Sequence, residues 1–158
     1  KGKRNRGIKV KEGSKIKIIR DFSGKPFEIN TKLLNLLMEN NYVPVLCIPI
    51  IDKDNFAINS ENDDIVRVLK NSMNADTVIQ LIEAPGYLEN KNDPTTLVKS
   101  ITQIELESKV NQVEGRMKRK MLSLKKLFEQ GPCKVIISDG RVEHPIKNAL
   151  NEIGTVIT

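Results

Sequence analysis

The chain has little of what metal centres, disulfide scaffolds and base-stacking surfaces are built from. One histidine, His144, is the whole imidazole supply, and Cys47 and Cys133 are the two cysteines, so a zinc site and a disulfide framework both lack material. Each cysteine sits inside an apolar run of the kind that forms a buried strand. The aromatic residues are Tyr42, Tyr87 and four phenylalanines, and none interleaves with the basic residues of the opening stretch, which argues against single-strand nucleic-acid recognition. No stretch reaches the roughly 18 apolar residues of a membrane span and no signal-peptide pattern opens the chain, so the cytoplasm is the expected compartment.

What is present suits one core and an acidic partner. With 158 residues, 39% of them hydrophobic, the chain can bury a single sizeable core. The excess of 26 Lys and Arg over 20 Asp and Glu leaves a charge of +6, which favours nucleotides, nucleic acid or an acidic protein without choosing among them. The opening run Lys1, Lys3, Arg4 and Arg6, with no initial methionine, reads as a piece of a longer protein.

Periodicity orders the elements. Residues 7–20 alternate apolar and basic residues around Glu12-Gly13-Ser14, predicting a hairpin with one cationic face. Asp21 to Pro26 breaks that pattern. Asn30-Thr31 caps a helix carrying Leu33, Leu34, Leu37 and Met38 that stops near Asn40-Asn41. Val43 to Ile51, apolar on both faces, predicts a buried parallel strand. A helix over 60–71 begins among acidic residues that suit its positive end. Thr77 to Ile82 predicts a strand, 95–112 helix in pieces, and 116–130 an amphipathic helix on Met117, Met121, Leu124, Leu127 and Phe128, ended by Gly131-Pro132. Val135-Ile136-Ile137, Pro145 to Ile153 and Thr155-Val156-Ile157 close the chain as strand, helix and strand. Alternating strands and helices predict an α/β fold, a mostly parallel sheet sandwiched by helices, with a basic β-hairpin attached. The expected division is a hairpin and lead-in segment, 1–28, and an α/β domain, 29–158.

In such sheets ligands gather at the carboxyl ends of strands. Four polar stretches fall at such places: Asn59-Ser60-Glu61-Asn62-Asp63, Glu83-Ala84-Pro85-Gly86-Tyr87-Leu88, Gly115-Arg116-Met117-Lys118-Arg119-Lys120 and Ser138-Asp139-Gly140-Arg141. Singly each has an ordinary explanation: Asp63 as a helix cap, Gly86 as a turn glycine, Lys118 to Lys120 as a solvated basic face. His144, just before Pro145, reads as structural or surface.

Their order resembles the carboxy-terminal part of the amino acid kinase family, whose acetylglutamate-type members carry Asn-x-x-x-Asp, Ser-Asp-x-x-Gly-Val-Leu and Gly-Gly-Met-x-x-Lys in that sequence. The tail from Lys134 through His144-Pro145 to Gly154-Thr155-Val156-Ile157 looks most like the archaeal kinases acting on aminoadipate or glutamate held by the amino-group carrier protein LysW. The resemblance covers essentially the whole chain but only the later part of such an enzyme, about one lobe of roughly 100 residues being expected in front. It implies ATP-dependent phosphorylation of a side-chain carboxylate in lysine or arginine biosynthesis, with Mg²⁺ accompanying ATP. It also implies an acylated amino acid or acidic carrier as partner, and a homo-oligomer.

By resemblance, Lys120 would face the phosphates, Asp63 would orient the catalytic lysines and Asn59 would hold the acyl substrate. Glu83, Gly86, Tyr87, Leu88, Gly115, Met117, Ser138 and Asp139 would line the nucleotide site, with no metal-ligating residue assigned. Three departures stand out: Ile82-Glu83 replaces Ser-Asp, Gly115-Arg116 replaces the double glycine, and Ile65-Val66 replaces the small residues after the Asp63 motif. They keep open a catalytically diverged protein acting in interaction or regulation; a basic nucleic-acid module is the second alternative. The fragment alone is expected to be inactive. The hairpin lysines would steer an acidic carrier, or simply discourage strand-to-strand aggregation.

Overall fold

The computed structural model describes residues 1–19, 21–111, 113–129 and 131–158. Arg20, Gln112 and Gln130, each within or closing an expected element, lie outside the described residues, as do the side chains of Ile8, Arg116 and Met117. The chain forms two compact units, Lys1–Met73 and Asn74–Thr158. The expected lead-in segment 1–28 falls inside the first.

The first unit runs β1 (Gly2–Arg4), β2 (Ile8–Glu12), β3 (Lys15–Ile19), β4 (Gly24–Pro26), α1 (Thr31–Glu39), β5 (Ile50–Ile51), β6 (Ala57–Ile58) and α2 (Asn62–Met73). Among the described residues its strands pair two by two: β1 with β4, β2 with β3, β5 with β6, all antiparallel. Helix α1 begins as expected, since the Asn30 side chain accepts from the Leu33 N–H at 3.1 Å. It ends at Asn41, whose φ of 63° leaves the helical region. Arg4 reaches the Asp52 carboxylate and lies about equally over the Phe22 and Phe56 rings, 5.1 and 5.0 Å from their centroids. That contact ties β1 to the turn between β5 and β6.

Two expectations fail in this unit. The apolar run Val43 to Ile51 is not a buried parallel strand: it pairs only at Ile50–Ile51, antiparallel, and Val43 and Val45 are 86% and 89% exposed. Cys47 is exposed with it. A buried strand needs partners for its backbone N–H and C=O groups, and among the described residues no strand pairs with 43–49. The hairpin forms, but without a single cationic face. Its register sets Lys9 opposite Ile18, Val10 opposite Lys17 and Lys11 opposite Ile16. Directly opposed residues share a face, so Lys9 and Lys11 lie with Ile16 and Ile18 while Lys15 and Lys17 lie with Val10 and Ile19. The two-residue turn, with Gly13 at φ 62°, sets that register, and alternation within each strand does not reveal it.

The second unit runs β7 (Thr77–Ile82), β8 (Ser100–Ile101), α3 (Gln103–Val110), α4 (Gly115–Phe128), β9 (Lys134–Asp139), α5 (Pro145–Leu150) and β10 (Thr155–Ile157). One sheet joins its strands in the order β7-β9-β10-β8, with β7–β9 and β10–β8 parallel and β9–β10 antiparallel. The fold is thus the expected mixed α/β type with a mostly parallel sheet. Strand β8 lies inside the stretch read as helix in pieces; two residues show no periodicity.

Alternation along β9 divides its side chains between the faces. Val135 and Ile137 pack with Leu106 and Val110 of α3 and with Met121, Leu124 and Leu127 of α4, while α5 lies against β9 and β7. A capping box starts α3: the Thr102 hydroxyl accepts from the Glu105 N–H at 3.3 Å, and the Thr102 N–H donates to the Glu105 carboxylate at 2.8 Å. Among the described residues no helix is long and apolar enough to cross a membrane.

Candidate functional site

In the first unit, Asn59 and Asp63 are placed by a strand end running into a helix. The Asn59 N–H donates to the Phe22 carbonyl at 2.6 Å and its carbonyl accepts from the Gly24 N–H at 2.8 Å, which fixes the backbone while the residue stays exposed. Gly24 permits this approach, because a Cβ there would run into the Lys3 carbonyl and lie 2.6 Å from Ile58 Cδ1. Asp63, half-buried, sits in the first turn of α2, where the positive helix end favours a carboxylate. Ser60 lies between them, 6% exposed, and its hydroxyl has no hydrogen-bond partner among the described residues.

In the second unit the expected nucleotide residues fall at neighbouring strand ends. Parallel pairing sets Ile82 beside Asp139, and the Gly140 N–H donates to the Ile82 carbonyl at 2.8 Å. The loops that begin at Glu83 and Asp139 therefore leave from the same rim of the sheet. Ser138 is buried, its hydroxyl donating to the Ile153 carbonyl at 2.7 Å, so that group holds the backbone rather than facing solvent.

Asp139 is engaged by Arg141. It accepts from the Arg141 N–H at 2.9 Å, from Nε at 2.9 Å and from a terminal guanidinium nitrogen at 2.7 Å. The guanidinium, and after it the backbone N–H, hold the Asp139 carboxyl at about 2. Sequence reasoning assigned Asp139 to the site and gave Arg141 no role there. An Asp-x-Arg spacing at a strand end is the signal that would have linked them.

The turn after β7 packs deeply. Tyr87 is 2% exposed, and Lys109 Nζ stands 5.1 Å above its ring while lying 3.7 Å from the Glu89 carboxylate. Burial, and then the charge of Glu89, push the Tyr87 phenol above its usual range. Gly86 has φ 157°, and a Cβ there would lie 2.6 Å from Thr155 Oγ1 and 2.7 Å from Leu97 Cδ1, so no other residue fits.

Beyond Tyr87 the chain turns outward. Ala84, Gly86, Leu88 and Glu89 form one wall of a cleft of about 370 Å³ whose other side is Val113 and Glu114, at the start of α4. Gly115 follows with φ 61° and open space around its Cβ position, so glycine is needed there for its backbone conformation and not for room. Helix α4 then carries Lys120, half-buried and five residues on, about 7.5 Å along the axis. The structure thus brings Gly86 and Leu88 together with the start of α4, and sets the Glu83 and Asp139 loops side by side. Asn59 and Asp63 belong to the other unit.

Residues 1–139 match the sequence model of the amino acid kinase family. The chain belongs to that family.

Within this amino acid kinase family, the LysW-aminoadipate kinase of Thermus thermophilus is 36% identical over 159 residues, an alignment covering 99% of this chain and 59% of the relative. The acetylglutamate kinase of Methanothermobacter thermautotrophicus is 33% identical over 140 residues, covering 85% of this chain and 48% of the relative. The chain therefore spans about half the length of these curated relatives. Among solved structures, N-acetylglutamate synthase from Neisseria gonorrhoeae, complexed with coenzyme A and N-acetyl-glutamate, superposes with a TM-score of 0.79 at 18% identity, covering 97% of this chain and 35% of that one. That likeness shows the fold.

Proposed function

We propose that this chain supplies the nucleotide-binding part of an enzyme that transfers the terminal phosphoryl group of ATP to the side-chain carboxylate of an N-modified amino acid. The acceptor is aminoadipate or glutamate on an acidic carrier protein of the LysW type, or acetylglutamate. The observation that carries this reading is the cleft shared by the Ala84–Glu89 turn and the start of α4, at a strand-end turn of a mostly parallel sheet, in an amino acid kinase family chain. The acceptor class is supported by the names of the two curated relatives.

Phosphoryl transfer asks little covalent work of the protein; it asks for fixed cations and donors around charge spread over the moving group. In this reading Lys120 faces the phosphates, Asp63 orients the catalytic lysines and Asn59 holds the acyl group. Glu83, Gly86, Leu88, Gly115 and Met117 line the nucleotide, with Tyr87 and Ser138 as the packed backing of that wall and Asp139 acting through Arg141. Among the described residues no group of three or more His, Cys, Asp or Glu gathers to hold a cation unaided. In this reading Mg²⁺ arrives on the ATP phosphates, since the ion commonly keeps phosphate and water ligands with one or two carboxylates.

Thermal unfolding of the chain with and without Mg-ATP tests the reading. A ligand at 100 times its Kd adds about 2.7 kcal/mol. No shift at millimolar Mg-ATP would overturn it in favour of a diverged protein that keeps the fold for interaction. Ile82-Glu83 and Gly115-Arg116, which depart from the family pattern, are the residues that favour that second reading.

A further inference from the structure

We propose that Thr155 is a positioning residue for the nucleotide cleft: its buried hydroxyl replaces one rung of a backbone ladder and so sets where the Gly86–Glu89 wall stands. This rests on the nucleotide reading of that cleft.

Tyr87 and Val98 face each other across an antiparallel pairing that continues at Leu88 and Leu97. One rung is ordinary, the Val98 N–H donating to the Tyr87 carbonyl at 3.0 Å. In a direct pair the second rung would run from the Tyr87 N–H to the Val98 carbonyl. Here Thr155 Oγ1 stands between them, accepting from the Tyr87 N–H at 2.8 Å and donating to the Val98 carbonyl at 2.6 Å. One hydroxyl, on a fully buried residue, satisfies both the donor and the acceptor of the interrupted rung.

Gly86 belongs to the same arrangement, since any side chain there would collide with that oxygen. The wall is held again one residue beyond Tyr87's neighbour, where Glu89 meets Lys109 over the Tyr87 ring. Between these two points lies Leu88, a lining residue of the cleft. Thr155 is not among the residues that line this cleft; it acts through Tyr87 and Gly86.

The test compares the chain with Thr155→Val, which keeps the shape and loses the hydroxyl, and Thr155→Ser, which keeps the hydroxyl. Amide hydrogen exchange at residues 86–89, Mg-ATP affinity and urea unfolding are measured on each. In Thr155→Val the Tyr87 amide exchanges at least about tenfold faster and Mg-ATP affinity falls about tenfold, while Thr155→Ser returns both to within about threefold of the parent. Unchanged exchange at Tyr87 overturns the clamp. Faster exchange with unchanged affinity overturns its service to the cleft, because a merely structural threonine lowers the unfolding midpoint and leaves the folded protein's affinity alone.

If Thr155→Val does not fold, the parent chain decides: Mg-ATP must further protect the amides of 86–89, and an unaltered pattern there sinks the proposal. A parent chain that binds no Mg-ATP defeats the functional reading and the ligand half of this proposal. The exchange comparison then judges the clamp by itself.

Discussion

The two units handle their apolar residues in opposite ways. In Asn74–Thr158 a four-stranded sheet and helices α3 and α4 gather a continuous core in which Ile101, Met121, Val135, Ile137 and Ile157 are 0% exposed. In Lys1–Met73 the buried hydrophobic residues among those described are Leu34, Ile58 and Val68, while Phe22, Phe27, Leu36, Val43, Val45 and Ile51 are exposed. Composition does not separate the two; strand pairing does. Where a third and fourth strand join a sheet, its two faces become wide enough for helices to cover. Two-stranded ribbons offer no such platform.

The sharpest way to break that comparison is to shorten apolar side chains in each unit. Ile137→Ala and Leu124→Ala should each destabilise by about 2–5 kcal/mol in urea unfolding, through lost transfer energy and a cavity. Val43→Ala and Val45→Ala should stay within about 0.5 kcal/mol. A cost at Val45 comparable to that at Ile137 would mean the 43–51 run is buried after all.

Glycine substitutions sharpen the contrast at smaller scale. Gly154 has φ 142° and a Cβ there would strike the Ile137 carbonyl, so Gly154→Ala should lose about 1–3 kcal/mol from overpacking against backbone. Gly13 has φ 62° with nothing within 4 Å, so Gly13→Ala should lose only the left-handed penalty, about 1–2 kcal/mol. Equal losses at both positions would show that the space around Gly154 relaxes.

A smaller, pH-dependent difference is expected at the end of β9. Asp139 is held at about 2 against an ordinary 3.8, so its pairing with Arg141 contributes stability above about pH 4 and loses it as pH falls toward 2. Unfolding midpoints of the parent and Asp139→Asn should therefore differ above pH 4 and converge near pH 2. Curves that stay parallel through that window would remove the pair from the stability of this unit. The ionic part is modest, because Arg141 is well exposed and solvent screens it.

The smallest change in stability, within about 0.5 kcal/mol, belongs to the hairpin. Lys9→Glu with Lys11→Glu reverses one face, and Lys15→Glu with Lys17→Glu reverses the other. If an acidic carrier is steered by this element, at least one pair should slow association at low ionic strength and lose its effect as salt rises. Unchanged association rates for both pairs would leave the lysines as protection of two open strand edges.

Much of the second unit could be read from the chain. β7, α4, β9, α5 and β10 stand within a few residues of their expected places, because each carries several core residues at a regular period. The Asn59–Asp63 spacing, the Gly86 turn and the Gly115 helix start were equally visible, since they depend on residue type over a few positions. What escaped depends on partners distant in the chain: the two-residue strand β8, the mixed faces of the hairpin and the bare run at Val43. Thr155 escaped for the same reason, because a threonine in a short strand looks the same whether its hydroxyl bonds its own neighbours or bridges Tyr87 and Val98.

By itself, then, the order of residues determined where helices and most core strands begin and end, and which family's motifs the chain carries. Those properties follow from local propensity, capping and periodicity. The tertiary structure alone decided which apolar runs found a strand to pair with and which hydroxyl completes the ladder behind the cleft. Each of those depends on groups far apart in sequence meeting at hydrogen-bond distance, and no pattern along one strand encodes the identity of its neighbour.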